Sequence, residues 1–102
     1  MNYTTQQIKT HLAKLDGYEA LQAGDRAYQH NVTKVIIQIH NMPDYPNDMN
    51  LLFHLAFDKY EIDLTIDPNN KEWRAWYRLE DINAYDEDPK QALINCLMKI
   101  EV

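Results

Sequence analysis

The sequence predicts an α+β protein: an α/β sandwich whose four-stranded, mainly antiparallel sheet packs against three helices in the order α-β-β-α-β-β-α. Three observations carry this. Apolar residues recur at helical spacing in three separate segments, they alternate with polar residues in others, and the alternating runs are joined by turn-forming residues. With 102 residues, 45% of them apolar, the chain has length and material for one core, so residues 1–102 are expected to form a single α+β domain.

Thr4 and Gln7 stand at capping-box spacing, and Ile8, Leu12 and Leu15 follow on one face until Asp16 and Gly17 supply a stop. Tyr18 to Gln22 is short and ambiguous. Thr33 to Ile39 is rich in β-branched residues and reads as a strand, with Gly24 to Asn31 as the hairpin connection before it. Pro43 and Pro46 make His40 to Asn47 a loop. Asn47 or Asp48 then caps a second helix bearing Met49, Leu52, Phe53, Ala56, Phe57 and Tyr60. Ile62, Leu64 and Ile66 alternate with Glu61, Asp63 and Thr65, and Asp67-Pro68-Asn69-Asn70 suits a tight turn into Glu72 to Leu79. Asp88-Pro89 starts a third helix striped by Ala92, Leu93, Cys96, Leu97 and Ile100.

Composition excludes several function classes. The net charge of −6 opposes attraction to phosphate backbones, so direct DNA or RNA binding is disfavoured. Apolar runs of at most three residues exclude a membrane span. A lone cysteine and a polar first segment lead to the expectation of a cytoplasmic protein, that of a host cell if the chain is viral. There is no serine to act as nucleophile, and Cys96 falls on an apolar helix face, where a buried structural thiol is expected. Gly17 and Gly24 match no phosphate-binding loop, and His11, His30, His40 and His54 lack metal-ligand spacing. No catalytic residue, cofactor or metal is therefore expected, and the chain reads as no enzyme.

What remains is a binding role. Arg74, Trp76 and Arg78 alternate on one strand face, where guanidiniums can stack on the indole; a helix covering Trp76 is the other arrangement open at this level. Glu80 to Asp88 carries Glu80, Asp81, Asp86, Glu87 and Asp88 with no Lys or Arg, interrupted by Ile82, Ala84 and Tyr85. Residues 52–102 hold eleven acids and six bases, against five and four in residues 1–51, which makes an acidic face the expectation. Seven tyrosines add material suited to interfaces.

The run Met42-Pro43-Asp44-Tyr45-Pro46-Asn47-Asp48-Met49-Asn50, then Trp73-Arg74-Ala75, then Asp88-Pro89 with Ala92, Leu93 and Leu97, resembles the phage ABA sandwich domain, a family of small phage and prophage proteins. Cys96 stands where that family usually has an alanine, and Gly17-Tyr18 where it has Gly-Trp. The resemblance implies an α/β fold and a viral origin, with no catalytic activity. It points to an accessory protein that binds and inhibits a bacterial host or defence protein, as anti-CRISPR proteins do. The acids of residues 80–88, with Asp63, Asp67 and Glu72, would mimic nucleic acid in a basic channel of a nucleic-acid-binding partner, with Trp76 and Tyr85 as anchors. Two other roles fit the same residues: a sponge for a nucleotide immune signal, held by Arg74, Arg78 and Trp76, and an immunity or antitoxin protein neutralising a nuclease. A homodimer is compatible with each.

Overall fold

A computed structural model of the chain describes residues 3–21 and 26–101. It corrects the expected architecture: the strands form two separate three-stranded antiparallel sheets, β1-β2-β3 and β4-β5-β6, not one sheet of four. The described residues fall into two compact units, one ending at Leu52 and the other spanning Phe53–Glu101, with one sheet in each.

The first unit begins with α1 (Thr5–Leu15), closed by the capping box the spacing predicts: Gln7 N–H donates to Thr4 Oγ1 at 3.1 Å, and Thr4 N–H donates to Gln7 Oε1 at 2.8 Å. Strands β1 (Tyr18–Ala20), β2 (Ala27–His30) and β3 (Ile36–Gln38) follow. β2 lies inside the segment expected to be a connection; Gly24 and Asp25 of that segment, and Gln22 of the short segment before it, are outside the described residues. The polar composition of Gln29-His30-Asn31 hid a strand whose single fully buried side chain is Tyr28. The strand expected over 33–39 shrinks to three residues because Lys34 adopts φ +63° in the β2–β3 turn and Ile39–Asn41 winds into a 3-10 turn. Leu12, Ala13, Leu15, Tyr28, Met42, Tyr45 and Leu52 are the buried hydrophobic residues among those described in this unit.

Asp16 and Gly17 close α1 and anchor much else. Tyr45 donates its hydroxyl to Asp16 Oδ2 at 2.7 Å, His30 Nε2 lies 2.8 Å from the Asp16 carbonyl, and Asn31 N–H donates to the Gly17 carbonyl at 2.9 Å. Gly17 is required here: its φ is +107°, and a Cβ would stand 2.8 Å from Asn31 Oδ1.

The helical segment α2 (Met49–Phe53) is capped by Asp48, whose Oδ1 accepts from the N–H groups of Asn50 and Leu51, and it continues as a π-helical stretch over His54–Lys59. In the second unit β4 (Asp63–Asp67), β5 (Glu72–Tyr77) and β6 (Ile82–Asp86) form a meander, and α3 (Pro89–Lys99) packs on β5 and β6. Asp88 caps α3, accepting from Lys90 N–H at 2.9 Å with Pro89 in the first turn, as the sequence predicts. β6 is the strand missed in the acidic stretch, because five acids in nine residues obscured its alternation. Chain reversals end on non-glycine residues with positive φ, Lys71 at +56° and Asp81 at +52°. Among the described residues no helix is long and apolar enough to cross a membrane.

Two measurements check these local arguments. Gly17→Ala is expected to lower the urea midpoint by about 1–3 kcal/mol of stability, whereas Lys71→Gly, which relieves a left-handed strain of about 1 kcal/mol, is expected to raise it. Burial, then the hydrogen bond to Asp16, hold the Tyr45 phenol far above its ordinary value of 10.0, with the nearby Asp16 and Tyr18 adding to the shift. Above that pH the unfolded chain gives up this proton and the folded one keeps it, so stability falls as pH rises through the alkaline range. Tyr45→Phe is expected to cost about 1–2 kcal/mol at neutral pH and to flatten that alkaline decline in a pH series of urea melts.

Candidate functional site

β5 is the central strand of the second sheet, and its alternation assigns each side chain to a face. Leu64, Ala75 and Ala84 stand in one cross-strand row, and both alanines are buried. α3 packs on that side, with the Cys96 thiol 3.7 Å from the Ile82 carbonyl. The rows on the other side are Asp63–Trp76–Asn83 and Thr65–Arg74–Tyr85. Trp76 is therefore on the face opposite α3, half-buried, with Tyr85 beside it at 55% exposure.

The indole is held from three directions. The Arg74 guanidinium carbon lies 4.6 Å from the ring centroid, that of Arg78 lies 5.1 Å away, and the indole N–H donates to Asp81 Oδ1 at 2.9 Å. The arginines are fixed in turn: Arg74 Nε donates to Asn83 Oδ1 at 2.7 Å, and Arg78 Nε pairs with the Asp63 carboxylate. Asn83 also reaches Asp81, so Arg74, Asn83, Asp81 and Trp76 form one hydrogen-bonded and stacked network. Such preorganisation lowers the rotamer entropy lost when a partner docks.

The acidic stretch does not form one patch. Glu80 and Asp81 sit in the β5–β6 turn, and Asp86, Glu87 and Asp88 at the far end of β6, separated by a strand. Three of these carboxylates serve the scaffold: Asp81 binds the indole, Asp86 accepts from the Asp88 N–H at 2.9 Å, and Asp88 caps α3. Glu80 and Glu87 are exposed. Asp63, Asp67, Glu72 and Asp81 share the open face with Arg74 and Arg78, Asp63 and Asp81 beside the stack and the Asp67–Glu72 pair farther along the strands.

Sequence reasoning thus placed Arg74, Trp76 and Arg78 on one face and named Tyr85 as an anchor from the acidic stretch, but missed the strand that sets Tyr85 opposite Arg74, and missed Asn83, Asp63 and Asp81 as holders of the stack. The clue was available: once Ile82 and Ala84 are recognised as an inward pair, Asn83 and Tyr85 must point outward beside Trp76 and Arg74. Cys96 is fully buried, and burial pushes its thiol up to about 11 despite the opposing hydrogen bond at Tyr77 and the charge of Lys99. Among the described residues no group of three or more His, Cys, Asp or Glu side chains is placed to hold a metal ion. A depression of about 440 Å³ in the first unit is lined by Arg26, Ala27, Gln38, Ile39 and His40, none of them among the expected site residues.

Comparison of the chain with protein-family models, with curated proteins and with solved structures finds no match. Function is therefore argued from the geometry of this face.

A double-mutant cycle tests the stack. Arg74→Ala and Trp76→Ala, singly and together in urea melts, are expected to show a coupling of about 0.5–1 kcal/mol, the range of a partly exposed cation–π pair.

Proposed function

We propose that this is a non-enzymatic binding protein that occupies the surface of a partner protein with the open face of the β4-β5-β6 sheet. The observation that carries this reading is the Arg74–Trp76–Arg78 stack: a half-buried aromatic centre, held before any partner arrives, with Asp63 and Asp81 beside it and Asp67 and Glu72 farther along the same face. Binding energy at protein interfaces concentrates in Trp, Tyr and Arg at the middle of a patch, with charges at the rim setting orientation and encounter rate. Here Trp76 and Tyr85 are the anchors and the acids are the rim.

The matching partner presents basic residues around an apolar or aromatic contact, as nucleic-acid-binding proteins do. With the phage resemblance, the role becomes that of an accessory protein that blocks a bacterial host or defence protein at such a surface. An immunity protein against a nuclease uses the same chemistry. The nucleotide-sponge reading has less support, because the carboxylates of Asp63, paired with Arg78, and Asp81, bonded to the Trp76 indole, would repel a phosphate at this face.

Capture from bacterial lysate on the immobilised chain, compared with Trp76→Ala and Tyr85→Ala, tests this. A specific partner is expected to bind the parent protein at least about 30-fold more tightly than either variant, the size of a central hot spot. Its association rate is expected to fall steeply between about 0.1 M and about 1 M salt, where the screening length drops from about 10 Å to about 3 Å. Equal capture by the variants, or a rate indifferent to salt, overturns the reading.

A further inference from the structure

The first unit carries a second surface, which does not depend on the sheet face just described. β3 is an edge strand among the described residues: the order β1-β2-β3 leaves its outer side without a neighbour in the sheet they form. His30 N–H donates to the Val35 carbonyl and Ile39 N–H to the Arg26 carbonyl, both at 2.9 Å. In an antiparallel pair this parity turns the main-chain groups of residues 35, 37 and 39 toward β2, and aims those of Ile36 and Gln38 along the open edge. Such an edge is a template for another strand.

Natural edge strands are commonly guarded by charge, yet this one is flanked by apolar residues: Val32 is 78% exposed, Val35 52% and Ile36 59%. The surrounding charge has one sign. From Arg26 to Pro43 the chain has no Asp or Glu, while Arg26 and Lys34 are cationic, in a protein whose net charge is −6. Lys34 sits directly at the mouth of the edge, in the left-handed turn that leads into Val35.

We infer that β3 is a strand-addition site for an extended segment of a partner protein in which acidic and apolar residues alternate. Main-chain hydrogen bonds to Ile36 and Gln38 supply the pairing, Val35 meets the apolar side chains on the face it shares with Ile37, and Lys34, at the turn ahead of the strand, meets the carboxylates. A second copy of this chain is the poorer occupant. Antiparallel pairing of two β3 strands brings no carboxylate to either Lys34, and both copies carry the same net charge.

The test is a titration of the full, ¹⁵N-labelled chain with a short end-capped peptide alternating glutamate and valine. Saturable shifts are expected at the amides of Ile36 and Gln38, with slowed hydrogen exchange at both. The peptide with lysine in place of glutamate is expected to bind at least about tenfold more weakly, as charge-directed pairing requires. Lys34→Asn, which keeps a residue tolerant of positive φ, is expected to weaken glutamate-peptide binding about threefold or more with spectral dispersion unchanged. Equal binding of the two peptides, or undisturbed Ile36 and Gln38 amides, overturns the proposal. So does a concentration-dependent shift of those amides in peptide-free protein, which would put a second copy on the edge.

Discussion

The arrangement of the second unit depends on two alanines that face each other across neighbouring strands. Ala75 and Ala84 are directly paired in β5 and β6, both are buried, and their small side chains let α3 lie close against the sheet. Leu93, Cys96 and Leu97, all fully buried, fill the space this creates, each leucine adding about 1.5–3 kcal/mol relative to exposure. Because side chains alternate along a strand, burying Ala75 forces Arg74 and Trp76 to the opposite face, and burying Ala84 does the same to Asn83 and Tyr85. The face proposed for binding is thus a consequence of how the helix is packed on the other side.

The acids illustrate how net charge misleads when it is treated as surface potential alone. Asp48 and Asp88 cap helices, Asp67 accepts from the N–H groups of Asn69 and Asn70 in the β4–β5 turn, Asp86 organises the approach to α3, and Asp81 holds an indole. With two glycines in the whole chain, tight turns rest on these carboxylates and on strained lysine and aspartate backbones. Much of the negative charge is therefore scaffolding that also colours the surface, and the acids of residues 80–88 fall at the two ends of β6 rather than in one patch.

In the first unit, the corresponding organiser is the end of α1. Asp16 accepts the Tyr45 hydroxyl on its side chain while its carbonyl lies beside His30, so one residue ties the proline-bearing loop and the β2 strand to the helix. His30 Nδ1 in turn lies 3.2 Å from the backbone nitrogens of both Val32 and Thr33, which shapes the turn into β3.

Helix starts were legible in the amino-acid sequence because they are local: Thr4 with Gln7, Asp48, and Asp88 with Pro89 each satisfy amides within a few residues. The alternation of Glu72 to Leu79 likewise assigned Arg74, Trp76 and Arg78 to one face without knowledge of any neighbour. Strand partnership was not legible. β2 and β6 lie in polar and acidic segments whose strand character comes from cross-strand pairing, so their existence, and with them the division into two sheets, emerged only in the folded chain. Whether Trp76 would be covered or open, and which residues would hold it, also depended on contacts between residues distant in the chain. Local hydrogen bonding and side-chain parity are written into a few adjacent residues, whereas sheet membership is settled by which strands bury one another's edges.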